Sequence, residues 1–121
     1  MRIRQEQRQA FVEARLQEFE NYMVVHLNKW FPRKCRALGE DGVRQAIRDG
    51  INRAKRYGVV GRRDVARFID MMFTLALDFD EDERFRWARQ ILKDESRDPT
   101  ARVDRLCDEV AARRQKARGP R

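Results

Sequence analysis

The stretch Val43–Phe79, VRQAIRDGINRAKRYGVVGRRDVARFIDMMFTLALDF, carries two helical patterns that meet at the turn Tyr57-Gly58-Val59-Val60-Gly61. Before the turn, Val43, Ala46, Ile47, Ile51, Ala54 and Tyr57 form the stripe of an amphipathic helix, with Arg44, Arg48, Arg53, Lys55 and Arg56 mostly on other faces. Gly58 is expected to end that helix. Gly50, inside it, costs about 1 kcal/mol against alanine and so predicts a close approach by another helix. After the turn, from Gly61 or Arg62 to Leu77, the residues Val65, Phe68, Ile69, Met72, Phe73, Leu75 and Ala76 are nearly continuous. This predicts a central helix buried on more than one face. Arg62 and Arg63 in its first turn oppose the helix dipole, a placement tolerated at a surface and open to a partner's acid.

Outward from this centre, Ile3 to Trp30 lacks glycine and proline and repeats Phe11, Val12, Leu16, Phe19, Met23, Leu27 and Trp30 at helical spacing. A long amphipathic helix is expected, with Arg4, Glu6, Arg8, Glu13, Arg15, Glu18 and Glu20 facing out. Phe31-Pro32 should stop it, a short helix should follow over Arg33 to Leu38, and Gly39 should cap that one. On the other side, acids of the run Asp78-Phe79-Asp80-Glu81-Asp82-Glu83 open a helix from about Asp82 to Lys93, with Phe85, Ala88, Ile91 and Leu92 inside and Trp87 beside them. Asp98-Pro99 then reads as an N-cap and first helical residue of a last helix through Val103, Leu106, Cys107 and Val110.

The chain has 121 residues, a net charge of +8 and 40% charged residues, which suits one soluble helix-rich domain. The charge is uneven: residues 29 to 67 hold twelve Lys or Arg against four acids, while residues 68 to 98 hold nine acids against five bases. Such basicity favours nucleic acid, an anionic membrane surface or an acidic protein without choosing among them. The start, MRIRQEQRQAF, lacks a signal peptide's apolar run, and no stretch approaches the roughly 18 apolar residues of a membrane span. No membrane insertion and cytoplasmic residence are expected. Cys35 and Cys107 lie far apart on apolar helical positions and read as buried thiols.

The residues that could carry chemistry lack partners in sequence. His26 is the only histidine and Ser96 the only serine, and neither sits in a nucleophile or ligand motif. The DxDxD spacing from Asp78 suggests calcium, yet an EF-hand loop needs glycine sixth and glutamate twelfth, where this chain has Glu83 and Arg89. The carboxylates of this run read as local and solvated. A non-enzymatic protein without a metal or cofactor is the expectation.

Two kinds of partner fit. Apolar surface around Tyr22, Phe31, Tyr57, Met71 and Trp87, with Arg62 and Arg63 at the rim, would serve a protein-interaction module. Alternatively, residues 51–69 outline a helix-turn-helix whose Arg53, Lys55, Arg56, Arg62, Arg63 and Arg67 would meet nucleic acid. Against that motif, the position six after Gly58 is Asp64 rather than a buried apolar residue, and the second helix is too apolar to lie in a groove.

The segments IRQEQRQAF, MVVHLNKWFP, LGEDGVRQAIRDGINRAKRYGVVGRRDVARFIDMMFTLALDFD and WARQIL together resemble a family of small all-helical bacterial proteins encoded beside effector and PAAR-tip genes of type VI secretion clusters. The resemblance spans residues 3 to about 110 and implies, through gene context, an adaptor or co-chaperone for a secreted effector or PAAR-type tip protein, or an immunity protein. It carries no catalytic residues. Gly61-Arg62-Arg63 departs from the polar or acidic capping residues expected at that turn. The reading is an all-α, single-domain irregular bundle of five or six helices over residues 1–112, followed by a basic tail, 113–121, expected to be disordered.

Overall fold

The computed structural model describes residues 2–118, with side chains from residue 6 onward. The fold is all-α: five helices and one 3-10 turn, with no strand among the described residues. They are α1 (Arg2–Trp30), α2 (Pro32–Arg56), α3 (Arg62–Thr74), the 3-10 turn Glu83–Phe85, α4 (Arg86–Leu92) and α5 (Pro99–Arg118). The chain packs as two units, Met1–Arg48 and Asp49–Arg121. Their boundary falls inside α2.

In the first unit the ladder of α1 runs to the Phe31 N–H, which donates to the Leu27 carbonyl at 2.7 Å. The Phe31 carbonyl then accepts from the Cys35 N–H at 3.1 Å, so a single residue closes α1 and opens α2. Pro32 suits this place because the first helical position needs no N–H donor. Gly39, at φ 75° and ψ 167°, breaks α2 where the sequence places a cap. Phe19, Met23 and Leu27 on α1 and Cys35, Val43, Ala46 and Ile47 on α2 are buried.

Glu20, expected to face solvent, is only 5% exposed. Arg48 Nε donates to its Oε1 at 2.7 Å and Arg44 Nη1 to its Oε2 at 2.6 Å. Arg44 and Arg48 are four apart on α2, so both reach the same carboxylate from one helix face. The Arg48 hydrogen bond, then that of Arg44, holds the Glu20 carboxyl below its ordinary range against the opposing effect of burial.

The second unit begins with the last turns of α2, which end in a Schellman motif. The Val59 N–H donates to the Ala54 carbonyl at 3.0 Å and the Gly58 N–H to the Lys55 carbonyl at 2.9 Å, with Gly58 at φ 77°. Val59 and Ala54, the apolar pair of such a cap, are both buried. On α3, Val65, Phe68, Ile69, Met72 and Phe73 are buried, but the helix stops at Thr74, short of Leu77. Leu75 and Ala76, expected in the core, are half-buried beyond its end. Gly50 does mark a close approach: a Cβ there would lie 2.8 Å from both Ile69 Cγ1 and Met72 Sδ.

Helix α5 packs against α3 and α4 through buried Val103, Leu106 and Val110. Asp98 caps it, accepting the Ala101 N–H at 2.8 Å. The helix continues to Arg118, through residues 113–118 of the basic tail. Its apolar stripe stops at Val110, but the Arg113 guanidinium stacks 4.0 Å above the Trp87 ring and pairs with Glu109 at 3.0 Å. Residues 119–121 of the expected tail lie outside the described residues.

Two measurements check this packing. Gly50→Ala should destabilise by roughly 1 kcal/mol in urea unfolding, because overpacking outweighs the gain in helix propensity. A more stable variant would contradict the contact. Glu20 has a folded pKa below its unfolded value, so its contribution is present above about pH 4.3 and is lost as pH falls through the folded pKa. Stability followed from pH 6 to pH 2.5 should fall more steeply in the wild type than in Glu20→Gln.

Candidate functional site

From Glu6 to Glu18 every residue of α1 is exposed. Val12 and Leu16 were expected inside; they continue the seam of Phe19, Met23 and Leu27 but lie at 54% and 49% exposure. Phe11 and Trp30, also expected inside, are 61% and 62% exposed, and Tyr22 and Val25 join them. The reason is length: 29 helical residues extend about 44 Å, and burial begins only at Phe19. The periodicity was a sound guide to which face is apolar. It carried no information about where the cover ends.

The residues predicted as an interaction surface have varied surroundings. Tyr22 is exposed and stacks on His26 with centroids 5.9 Å apart, and Phe31 is half-buried at the α1–α2 junction. In the second unit Arg62 and Arg63 are exposed at the start of α3, while Met71 is half-buried. Trp87 is half-buried beneath Arg113. Tyr57 is engaged internally, its hydroxyl donating to Asp80 Oδ2 at 3.0 Å, and burial pushes its pKa up.

The structure divides the predicted nucleic-acid set. Arg53 is not a surface cation: its Nη2 pairs with Asp80 and its Nη1 donates to the Leu77 carbonyl at 2.5 Å. Asp80, expected to be solvated, is 2% exposed, and Phe79 beside it is fully buried. Phe79 drives this reversal, since seating its ring 5.2 Å from that of Phe68 carries the neighbouring carboxylate inside, where only a cation makes burial tolerable. Arg67 pairs with Asp104 at 2.7 Å and Asp64 at 3.4 Å. Lys55, Arg56, Arg62 and Arg63 stay exposed.

The groups capable of chemistry are dispersed. Among the described residues no group of three or more His, Cys, Asp or Glu side chains could hold a metal. Asp82 caps the 3-10 turn, accepting the Arg84 N–H at 2.9 Å, and the Ser96 hydroxyl donates to Asp94 at 2.5 Å in a local turn. Cys35 is buried, as expected, whereas Cys107 is only half-buried. Burial raises the pKa of both thiols, which disfavours the reactive thiolate. No helix among the described residues is long and apolar enough to cross a membrane.

Two open clefts of the second unit are lined by described residues. One, about 830 Å³, lies among the end of α2, the end of α4 and the start of α5, with Arg56, Tyr57, Lys93 and Arg102 in its wall. The other, about 310 Å³, is lined by Trp87, Ile91, Arg105 and Arg113 among others. No known protein family, no curated protein and no solved structure matches the chain.

The Asp80 cluster makes a direct prediction. Asp80→Asn should cost about 3–5 kcal/mol in denaturant unfolding, because it takes from the largely buried Arg53 the carboxylate it pairs with. Tyr57→Phe should cost only about 1 kcal/mol, the worth of one hydrogen bond. Equal losses would contradict this ordering.

Proposed function

We propose that the protein is a non-enzymatic protein-interaction module that docks its partner along the exposed part of α1. The observation that carries this reading is the seam of Val12, Leu16, Phe19, Met23 and Leu27, of which the first two residues are left in water. A partner's apolar helix laid along Val12 and Leu16, with Phe11 at the edge, would continue a packing surface that already exists. Exposed apolar side chains aligned in this way mark interaction sites more often than those scattered singly. The chain's charge of +8 disfavours a second copy and favours an acidic protein.

In the cell this module acts as a cytoplasmic adaptor or co-chaperone that holds a type VI secretion effector, or a PAAR-type tip protein, before export. Immunity against the effector is the second role. Both roles rest on the sequence resemblance and its gene context. The nucleic-acid alternative would use Lys55, Arg56, Arg62 and Arg63, the members of the predicted basic set that stay exposed.

Co-expression with the secreted protein encoded alongside should give a stoichiometric complex that survives about 1 M salt, where charges are screened within about 3 Å. Leu16→Asp should weaken that complex by about 30-fold or more, the worth of a central anchor. Its thermal unfolding should be unchanged, because Leu16 is exposed. An unaffected complex would overturn the α1 site. If instead the protein shifts generic duplex DNA with steep salt dependence, the nucleic-acid reading replaces it.

A further inference from the structure

We propose that the cleft of about 830 Å³ in the second unit binds a small organic phosphate monoester, independently of the surface on α1. The cleft lies within the usual range of small-molecule sites, about 300–1,000 Å³. Its wall holds Arg56, Lys93 and Arg102 against one acid, Glu95, which leaves two net positive charges. A phosphate monoester carries about −1.5 to −2 at neutral pH, which matches that balance better than a monocarboxylate does.

Arg102 is the centre of the argument. Its Nε donates to the carbonyls of Asp94 at 2.7 Å and Arg97 at 2.9 Å, and its Nη1 to those of Tyr57 at 3.1 Å and Leu92 at 3.4 Å. All four acceptors are neutral, so the guanidinium is held in place while its charge meets no carboxylate among the described residues. Nη2 donates to no group there. A fixed guanidinium with an open edge suits a phosphate, because its orientation is set before the ligand arrives.

The other cations are also available. Lys93 has no ion-pair partner among the described residues, and Arg56 meets only Glu81, at 3.7 Å with both side chains largely exposed. That pair is weak enough to yield to a dianion. Tyr57 and Pro99 supply an apolar wall beside the charges, which would take the organic body of the ligand.

The test titrates the full chain at about 150 mM salt with phenyl phosphate and, separately, with phenylacetate, following backbone amides by NMR. Phenyl phosphate should saturate with Kd below about 1 mM and shift Tyr57, Gly58 and Lys93 selectively. Phenylacetate should bind at least about tenfold more weakly, having half the charge. Lys93→Ala should weaken phenyl phosphate by about fivefold with unchanged melting, as an exposed cation should. Arg102→Lys should weaken it further, since a point charge loses the planar contact. Absence of saturation by about 10 mM phenyl phosphate, equal binding of phenylacetate, or undiminished binding by Lys93→Ala would each overturn the proposal.

Discussion

A carboxylate removed from water must meet a cation or take up a proton, and both units of this protein are built around that constraint. In the first, Glu20 is held by Arg44 and Arg48; in the second, Asp80 is held by Arg53 with the Tyr57 hydroxyl as a second donor. All three arginines belong to α2. The most basic helix interior of the chain is thus a source of internal counterions. Its charge is less a display to solvent than the composition suggests.

This arrangement separates structural from available charge. Arg44, Arg48, Arg53 and Arg67 are committed to acids, and Arg102 is committed to four carbonyls without losing its charge. Lys55, Arg56, Arg63 and Lys93 are among the cations of the second unit that stay exposed. An ion pair of this kind does not make a fold more stable than a well-packed apolar pair would, but it penalises every arrangement that leaves one member alone. In this way Glu20 and Asp80 select one register of α1 and one path of the loop after α3.

The apolar surface tells a complementary story. From Phe19 onward the α1 seam is buried, and before it the same seam continues in water. Aligned apolar side chains without cover are costly to leave exposed, and the docking proposed along α1 rests on that cost. The cleft beside Arg102 differs in kind, being charged at one side and apolar at the other.

Local chemistry was legible in the sequence. Proline after Phe31, glycine at Gly39 and Gly58, and the Asp98-Pro99 pair act on the backbone within a few residues, and the helix breaks fall there. Gly50 signalled a close neighbour because nothing in a helix interior otherwise favours it, and the neighbours proved to be Ile69 and Met72. Tertiary structure alone decided which acids are inside and where the α1 seam loses its cover. Glu20 meets arginines 24 and 28 residues away, and Asp80 meets one 27 residues away. Helical periodicity names a face; whether something lies against that face depends on chain folded back from a distance.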